Sequence, residues 1–138
     1  MLQLAGWSIF IYIELTIYID MALHIELGKK GELLAKNYLQ QQGFDILHSN
    51  WKYDRCEIDL IATKNGKLHF IEVKTRKSTA FGFPEESVTK QKFTRLQKAA
   101  AQFLYKHPVW RMVQYDILSI LIDGNDKADY FYIEDVYI

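Results

Sequence analysis

Residues 57–76 read "EIDLIATKNGKLHFIEVKTR". Two apolar runs flank Asn65-Gly66, the dipeptide that most strongly signals a two-residue hairpin turn. Glu57, Asp59, Glu72 and Lys74 stand inside those runs, although strand interiors disfavour charge. With Asn65 and Gly66 at the turn, Lys64 faces Lys67. Stepping back along the antiparallel pair then sets Asp59 against Glu72 and Glu57 against Lys74. Side chains alternate between faces, so Glu57, Asp59, Ile61, Phe70, Glu72 and Lys74 share one face. Ile58 against Val73 and Leu60 against Ile71 make an apolar face on the other side.

This register places two carboxylates with β-carbons about 5 Å apart, a destabilising pair unless something offsets their repulsion. A divalent cation between them keeps both ionised. Carboxylate oxygens suit Mg²⁺ or Mn²⁺, and Lys74 beside them suits charge developing on a phosphate. An ordinary surface hairpin with a Glu57–Lys74 ion pair explains those two residues. It does not explain Asp59 facing Glu72. A third acid, Glu32, lies at helical spacing from Ala35 and Leu39, and Gly28 and Gly31 beside it permit close approach of a ligand backbone. A solvent-facing glutamate in a first helical turn is an equal reading of Glu32.

The rest of the chain has the composition of one globular domain. It has 138 residues, 49% hydrophobic and 25% charged, enough apolar material for a core. Formal net charge is zero, but the charge is unevenly distributed. Residues 74–111 carry nine basic residues against two acids, and residues 112–138 carry Lys127 against six acids. A basic face of this kind is the footprint of a polyanion partner, and equally of a solvated helix surface. The single cysteine, Cys56, excludes an intramolecular disulfide and a cysteine-rich zinc site and fits a reducing compartment, so a cytoplasmic protein is expected.

The first twenty residues, "MLQLAGWSIFIYIELTIYID", are strongly apolar. They lack the positive start and cleavage site of a secretory signal. As a span they are short, interrupted by Glu14 and without flanking Lys or Arg, so stable membrane insertion is not expected. An extra strand or a peripheral helix would accommodate them. The expectation is an extension outside the domain, with residues 21–138 forming a single domain. Within it, a helix is predicted over about 28–42, with Leu27, Leu34, Ala35, Tyr38 and Leu39 making an apolar stripe and Gly43 as its cap. A strand at "FDILHSNW" and the hairpin follow. A loop broken by Gly82 and Pro84 leads to a second helix over about 86–107, with Val88, Phe93, Leu96, Ala100, Phe103 and Leu104 inward. Two strands, "MVQYDILSILI" and "ADYFYIEDVYI", complete the order α-β-β-β-α-β-β, a mixed sheet of about five strands flanked by helices.

Asp59, Glu72, Val73 and Lys74 fit the PD-(D/E)xK pattern of restriction-endonuclease-like nucleases, with Ile58 where the proline usually stands. That pattern alone is loose. Together with "LGKKGELLAKNYLQQQGFDIL", "NW", "EIDLIA", "IEVKTR" and "FGFPEESVTKQKFTRLQKAAAQFL", the chain from Met21 onward resembles the YraN-like family of bacterial proteins. The resemblance implies a restriction-endonuclease-like fold, similar to that of archaeal Holliday-junction resolvases. It also implies an acid on the first helix joining the strand acids, here Glu32 with Asp59, Glu72 and Lys74. The function it implies is that of a nuclease or nucleic-acid-binding protein; the leading expectation is metal-dependent phosphodiester hydrolysis, structure-selective and on DNA, in a chain that can dimerise as the resolvases do. On that expectation Asp59, Glu72 and Glu32 hold Mg²⁺ (or Mn²⁺), Lys74 serves the reaction and Glu57 supports it. Arg76, Lys77, Lys90, Lys92, Arg95 and Lys98 contact phosphates, which position a substrate without reading its sequence. The competing expectations are a nucleic-acid-binding module that does not cut, serving repair, recombination or uptake, and a structural protein whose charged hairpin joins an interface.

Overall fold

In a computed structural model the described residues are 2–77 and 89–137. The expected loop at Gly82 and Pro84, and the inward placing of Val88, lie outside them. The elements run α1 (Leu2–Gln41), β1 (Asp45–Tyr53), β2 (Cys56–Lys64), β3 (Lys67–Arg76), α2 (Lys90–Lys106), β4 (Val113–Ile122) and β5 (Ala128–Ile133), the predicted order. The chain divides into two units, residues 1–30 and residues 31–138.

In the first unit the apolar stretch is helical, the continuation of α1 toward the N-terminus. Ile9, Phe10, Tyr12, Leu15, Tyr18 and Met21 are all exposed around it. By length and composition alone, the helix passes the test for a membrane span.

The second unit holds one sheet in the order β1-β2-β3-β4-β5. The first three strands form antiparallel hairpins, β3 and β4 run parallel, and β5 returns antiparallel beside β4. A parallel pair cannot be joined by a tight turn; the connection here contains α2. Asn65 and Gly66 both take positive φ, 51° and 76°, as the primed two-residue turn requires. Lys64 faces Lys67, as the turn predicts. A second tight turn, through Asp54 (φ 55°) and Arg55, joins β1 to β2 with Tyr53 opposite Cys56.

Each face of the sheet has its own cover. Phe93, Leu96, Ala99, Ala100 and Phe103 form a stripe on α2 that packs on Ile61, Leu68, Phe70 and Ile117. The Thr89 hydroxyl caps this helix by accepting the Lys92 N–H at 3.2 Å, and His107 closes it. The opposite face carries His69, Ile71, Thr75, Asp116, Leu118 and Ile120. Against it lies the C-terminal part of α1, where Ala35 and Leu39 are fully buried and Tyr38 stacks on Tyr130 with centroids 4.4 Å apart. Gly43, at φ 88°, ends α1 as its position predicts, and Phe44 N–H bonds back to the Leu39 carbonyl.

Gly31 serves this packing rather than a ligand. A β-carbon there would stand 1.8 Å from Thr75 Oγ1 and 2.9 Å from Thr75 Cβ. Gly31→Ala should therefore destabilise the protein by up to about 2 kcal/mol, an overpacking cost of about 1–3 kcal/mol set against a helix-propensity gain of about 1 kcal/mol. Urea unfolding would check it, and adding Thr75→Ala should return most of the loss.

Candidate active site

The hairpin ladder runs from Lys64↔Lys67 to Leu60↔Ile71. One step beyond, where Asp59 and Glu72 were expected to pair, the strands part. Asp59 Oδ2 accepts the Val73 backbone N–H at 2.8 Å, standing in for the carbonyl of a regular partner strand. Meanwhile β3 keeps its parallel partner through Arg76↔Leu121. The two carboxylates remain neighbours, close enough for the Glu72 charge to act on Asp59, rather than standing as a regular facing pair. Ile61 and Phe70, on the same face nearer the turn, are fully buried, so that face is core at one end and polar at the other.

The predicted Glu57–Lys74 pair does not form. Once the strands part, Glu57 is left on the β1 side, exposed, with Lys52 Nζ 3.7 Å away. Lys74 Nζ lies 3.6 Å from Glu72 Oε1, and Lys92 Nζ, reaching down from the first turn of α2, contacts the same oxygen. The centre is thus a buried Glu72, a half-buried Asp59, and two lysines from different elements. Burial and the Glu72 charge push the Asp59 carboxyl up to about 7, against the Val73 N–H and Lys92, which favour the ion. Burial and the neighbouring Lys92 pull Lys74 down. Burial also pulls on Lys92, but its hydrogen bonds to Glu72 and Lys74 and the charges of Glu72 and Asp59 outweigh it, and Lys92 is held above the usual lysine range.

Glu32 does not join this centre. It sits on α1, which covers the opposite face, and its Oε2 accepts the Asn50 side-chain N–H at 3.2 Å. Among the described residues no group of three or more His, Cys, Asp or Glu side chains is close enough to hold a metal ion. The donors present are the Asp59 and Glu72 carboxylates, with the carbonyl of Val73 next to Glu72 in sequence. They are hard oxygens, and the Glu72 charge works against ionised Asp59, a repulsion that a cation of the Mg²⁺ or Mn²⁺ kind would relieve.

Above the pair opens a cleft of about 440 Å³, lined by Arg55, Cys56, Glu57, Asp59, Glu72, Thr89, Gln91, Lys92, Arg95 and Leu96. Of the six basic residues expected on phosphates, Lys92 and Arg95 reach it. Lys90 is exposed at the start of α2, Lys77 is exposed past the end of β3, and Arg76 is half-buried. Lys98 Nζ instead lies 3.5 Å from Asp54 in the β1–β2 turn. That turn supplies Arg55, which the sequence reading did not select. The signal for it is the two-residue spacing between Tyr53 and Cys56, which makes a second hairpin whose tip lies beside the carboxylates.

A second polar group occupies the other face. Asp116, 1% exposed, lies 2.6 Å from His69 Nδ1 and accepts bonds from Tyr132 Oη at 2.5 Å, Gln114 Nε2 at 2.9 Å and the Asp135 N–H at 2.9 Å. Burial pushes its carboxyl up, but these bonds prevail and hold it below the usual carboxylate range. Saturated and enclosed, it ties β3, β4 and the segment after β5 together. Asp116→Ala would strand several buried partners and should cost about 3–5 kcal/mol in denaturant unfolding.

Comparison with known proteins gives relatives of the same domain. A UPF0102 protein of Syntrophomonas wolfei is 43% identical over 106 residues, 75% of this chain and 92% of that protein. Another, from Dictyoglomus thermophilum, is 40% identical over 102 residues, 73% of this chain and 86% of its own length. A third, from Bacteroides fragilis, is 39% identical over 95 residues, 69% of this chain and 78% of its own. The model of the uncharacterised protein family UPF0102 matches residues 31–120, from Gly31 on α1 into β4 and across every residue of the cleft. The chain therefore belongs to the UPF0102 family.

Proposed function

We propose that this protein is a metal-dependent nuclease that hydrolyses phosphodiester bonds, acting on DNA by structure rather than by sequence. The observation that carries the reading is the Asp59–Glu72 pair with Lys74 beside it, at the floor of an open cleft rimmed by Arg55 and Arg95. A divalent cation on the two carboxylates would supply Lewis-acid chemistry at the phosphate. The chain's own residues account for the rest. Asp59 is aimed by the Val73 N–H, and Glu72 is fixed by its place in β3. Lys74 either steadies charge developing on the phosphate or, with its affinity for a proton lowered, takes one from the attacking water. Arg55 and Arg95 are placed for backbone phosphates, which position a substrate without reading bases. Contacts of that kind carry no base information, which favours recognition of branched or flapped shapes.

The test is a cleavage panel of single-stranded, duplex, flap and four-way DNA with Mg²⁺ or Mn²⁺. Preferential cutting of branched substrates is expected, and no cutting of any would overturn the reading. Arg55→Ala and Arg95→Ala should each weaken binding across all substrates and reduce the slope of log K against log salt by about one, as expected for loss of one phosphate contact.

A non-cleaving nucleic-acid-binding module is the second reading. It is favoured by the absence of a third acid from the described centre and by the seating of Lys92 on Glu72. It predicts salt-sensitive binding of the same substrates with none cut.

A further inference from the structure

The proposed cation position is not bare: a protein ammonium reaches it. Lys92 Nζ contacts Glu72 Oε1, and its charge acts on Asp59 as well. It comes from the first turn of α2, the element that also contributes Gln91 and Arg95 to the cleft. Lys74, the other cation on Glu72, approaches from β3 itself and lies farther off at 3.6 Å. A buried Glu72 beside a half-buried Asp59 calls for an opposing charge once both are ionised. A lysine on a long flexible stem can supply one and withdraw it.

We propose that Lys92 is an internal stand-in for the divalent cation: it occupies the Asp59–Glu72 pair when no metal is bound and is released into the cleft when one is. This rests on the reading of that pair as the cation site. Once released, its ammonium lies in the open cleft with Arg55 and Arg95, whose lining also includes the exposed Glu57. There it would meet a backbone phosphate. Cation binding and phosphate binding are thereby coupled through one side chain, and the coupling is reciprocal: each ligand tightens the other.

The test is calorimetric titration of Mn²⁺ into the full chain at pH 8, repeated with Lys92→Met, Lys92→Gln and Lys74→Met. A second series measures binding of a non-hydrolysable phosphorothioate duplex with and without Ca²⁺. Removing Lys92 should raise Mn²⁺ affinity by about tenfold or more, the scale of one charge-assisted hydrogen bond. Lys74→Met should raise it much less. Ca²⁺ should tighten duplex binding in the wild type and lose most of that effect in both Lys92 variants. Equal Mn²⁺ affinity in wild type and Lys92 variants would overturn the proposal and leave the cation site standing. An equal gain from Lys74→Met would also overturn it, by showing that any nearby charge acts alike. No Mn²⁺ binding in any form would overturn both the proposal and the cation site. Lys92→Gln keeps a hydrogen-bond donor to Glu72, so the comparison survives if the Met variant fails to fold.

Discussion

Asp59→Asn should make the protein more stable at pH 8, by about 2–3 kcal/mol, and leave it unchanged near pH 4. The Asp59 carboxyl is pushed up to about 7 in the folded state, first by burial and then by Glu72, from an ordinary value of 3.8. Between those values the folded chain holds a proton that the unfolded chain has lost, so stability falls as pH rises through the interval. Below about 4 both states are protonated and there is no penalty. Above about 7 the penalty is complete. Each unit of difference corresponds to about 1.4 kcal/mol, and because the titration is shared with Glu72 the part that changing Asp59 alone returns is smaller than the full difference. Asparagine keeps an oxygen for the Val73 N–H and offers Glu72 an N–H where the acid offered repulsion. The expected change at pH 8 is a rise in melting temperature of roughly 6–10 °C. Asp116 works in the opposite sense, because its carboxyl is held low. Its contribution is present at neutral pH and lost only as pH falls below the ordinary carboxylate range. A wild-type profile with a shallow decline from pH 4 to 7 is therefore expected, flattened by Asp59→Asn. An Asn variant less stable than wild type at pH 8, or equally stabilised at pH 4, would show that the two carboxylates do not repel.

The element order and the hairpin turn were readable because each rests on local chemistry. Asn65-Gly66 admits the positive φ of a primed turn, Gly43 admits the cap of α1, and the stripe from Phe93 to Phe103 has the period of a helix buried on one side. What was not readable lies where a strand stops obeying its register. Stepping pairs back from the turn holds as far as Leu60↔Ile71. Beyond it a side chain, not a backbone carbonyl, satisfies Val73, and no residue pattern announces that exchange. Glu57 was therefore paired wrongly with Lys74. Lys92 was assigned to phosphates because a basic helix face looks the same whether its lysines point to solvent or to a buried acid. Glu32 was placed with the strand acids by resemblance, whereas the residues beside it, Gly31 packed on Thr75, hold its helix against the other face. The Asp116 network escaped notice because its members are far apart in sequence and meet only when β3, β4 and β5 lie side by side.

Lys74→Ala should lower the cleavage rate by about 10²–10³-fold, the usual cost of removing one preorganised group that meets developing charge. Asp59→Ala should reduce cleavage to background, since it removes one of the two carboxylates that the described residues bring to the centre and leaves the Val73 N–H without its acceptor. Lys74→Arg separates two roles. If Lys74 acts only through its charge, arginine at the same place restores a large part of the rate. If Lys74 takes a proton from the attacking water, arginine restores little, because a guanidinium does not give up its proton in a protein. Burial and Lys92 both weaken the hold of Lys74 on its proton, while Glu72 at 3.6 Å strengthens it, and the arginine variant decides between the two roles. The effect should fall on kcat with KM nearly unchanged, because Lys74 lies beside the carboxylates and not among the residues that line the cleft. Arg95→Ala should do the reverse, raising KM and sparing kcat. Wild-type cleavage by both Lys74→Ala and Asp59→Ala would mean that the reaction, if there is one, takes place elsewhere on the protein.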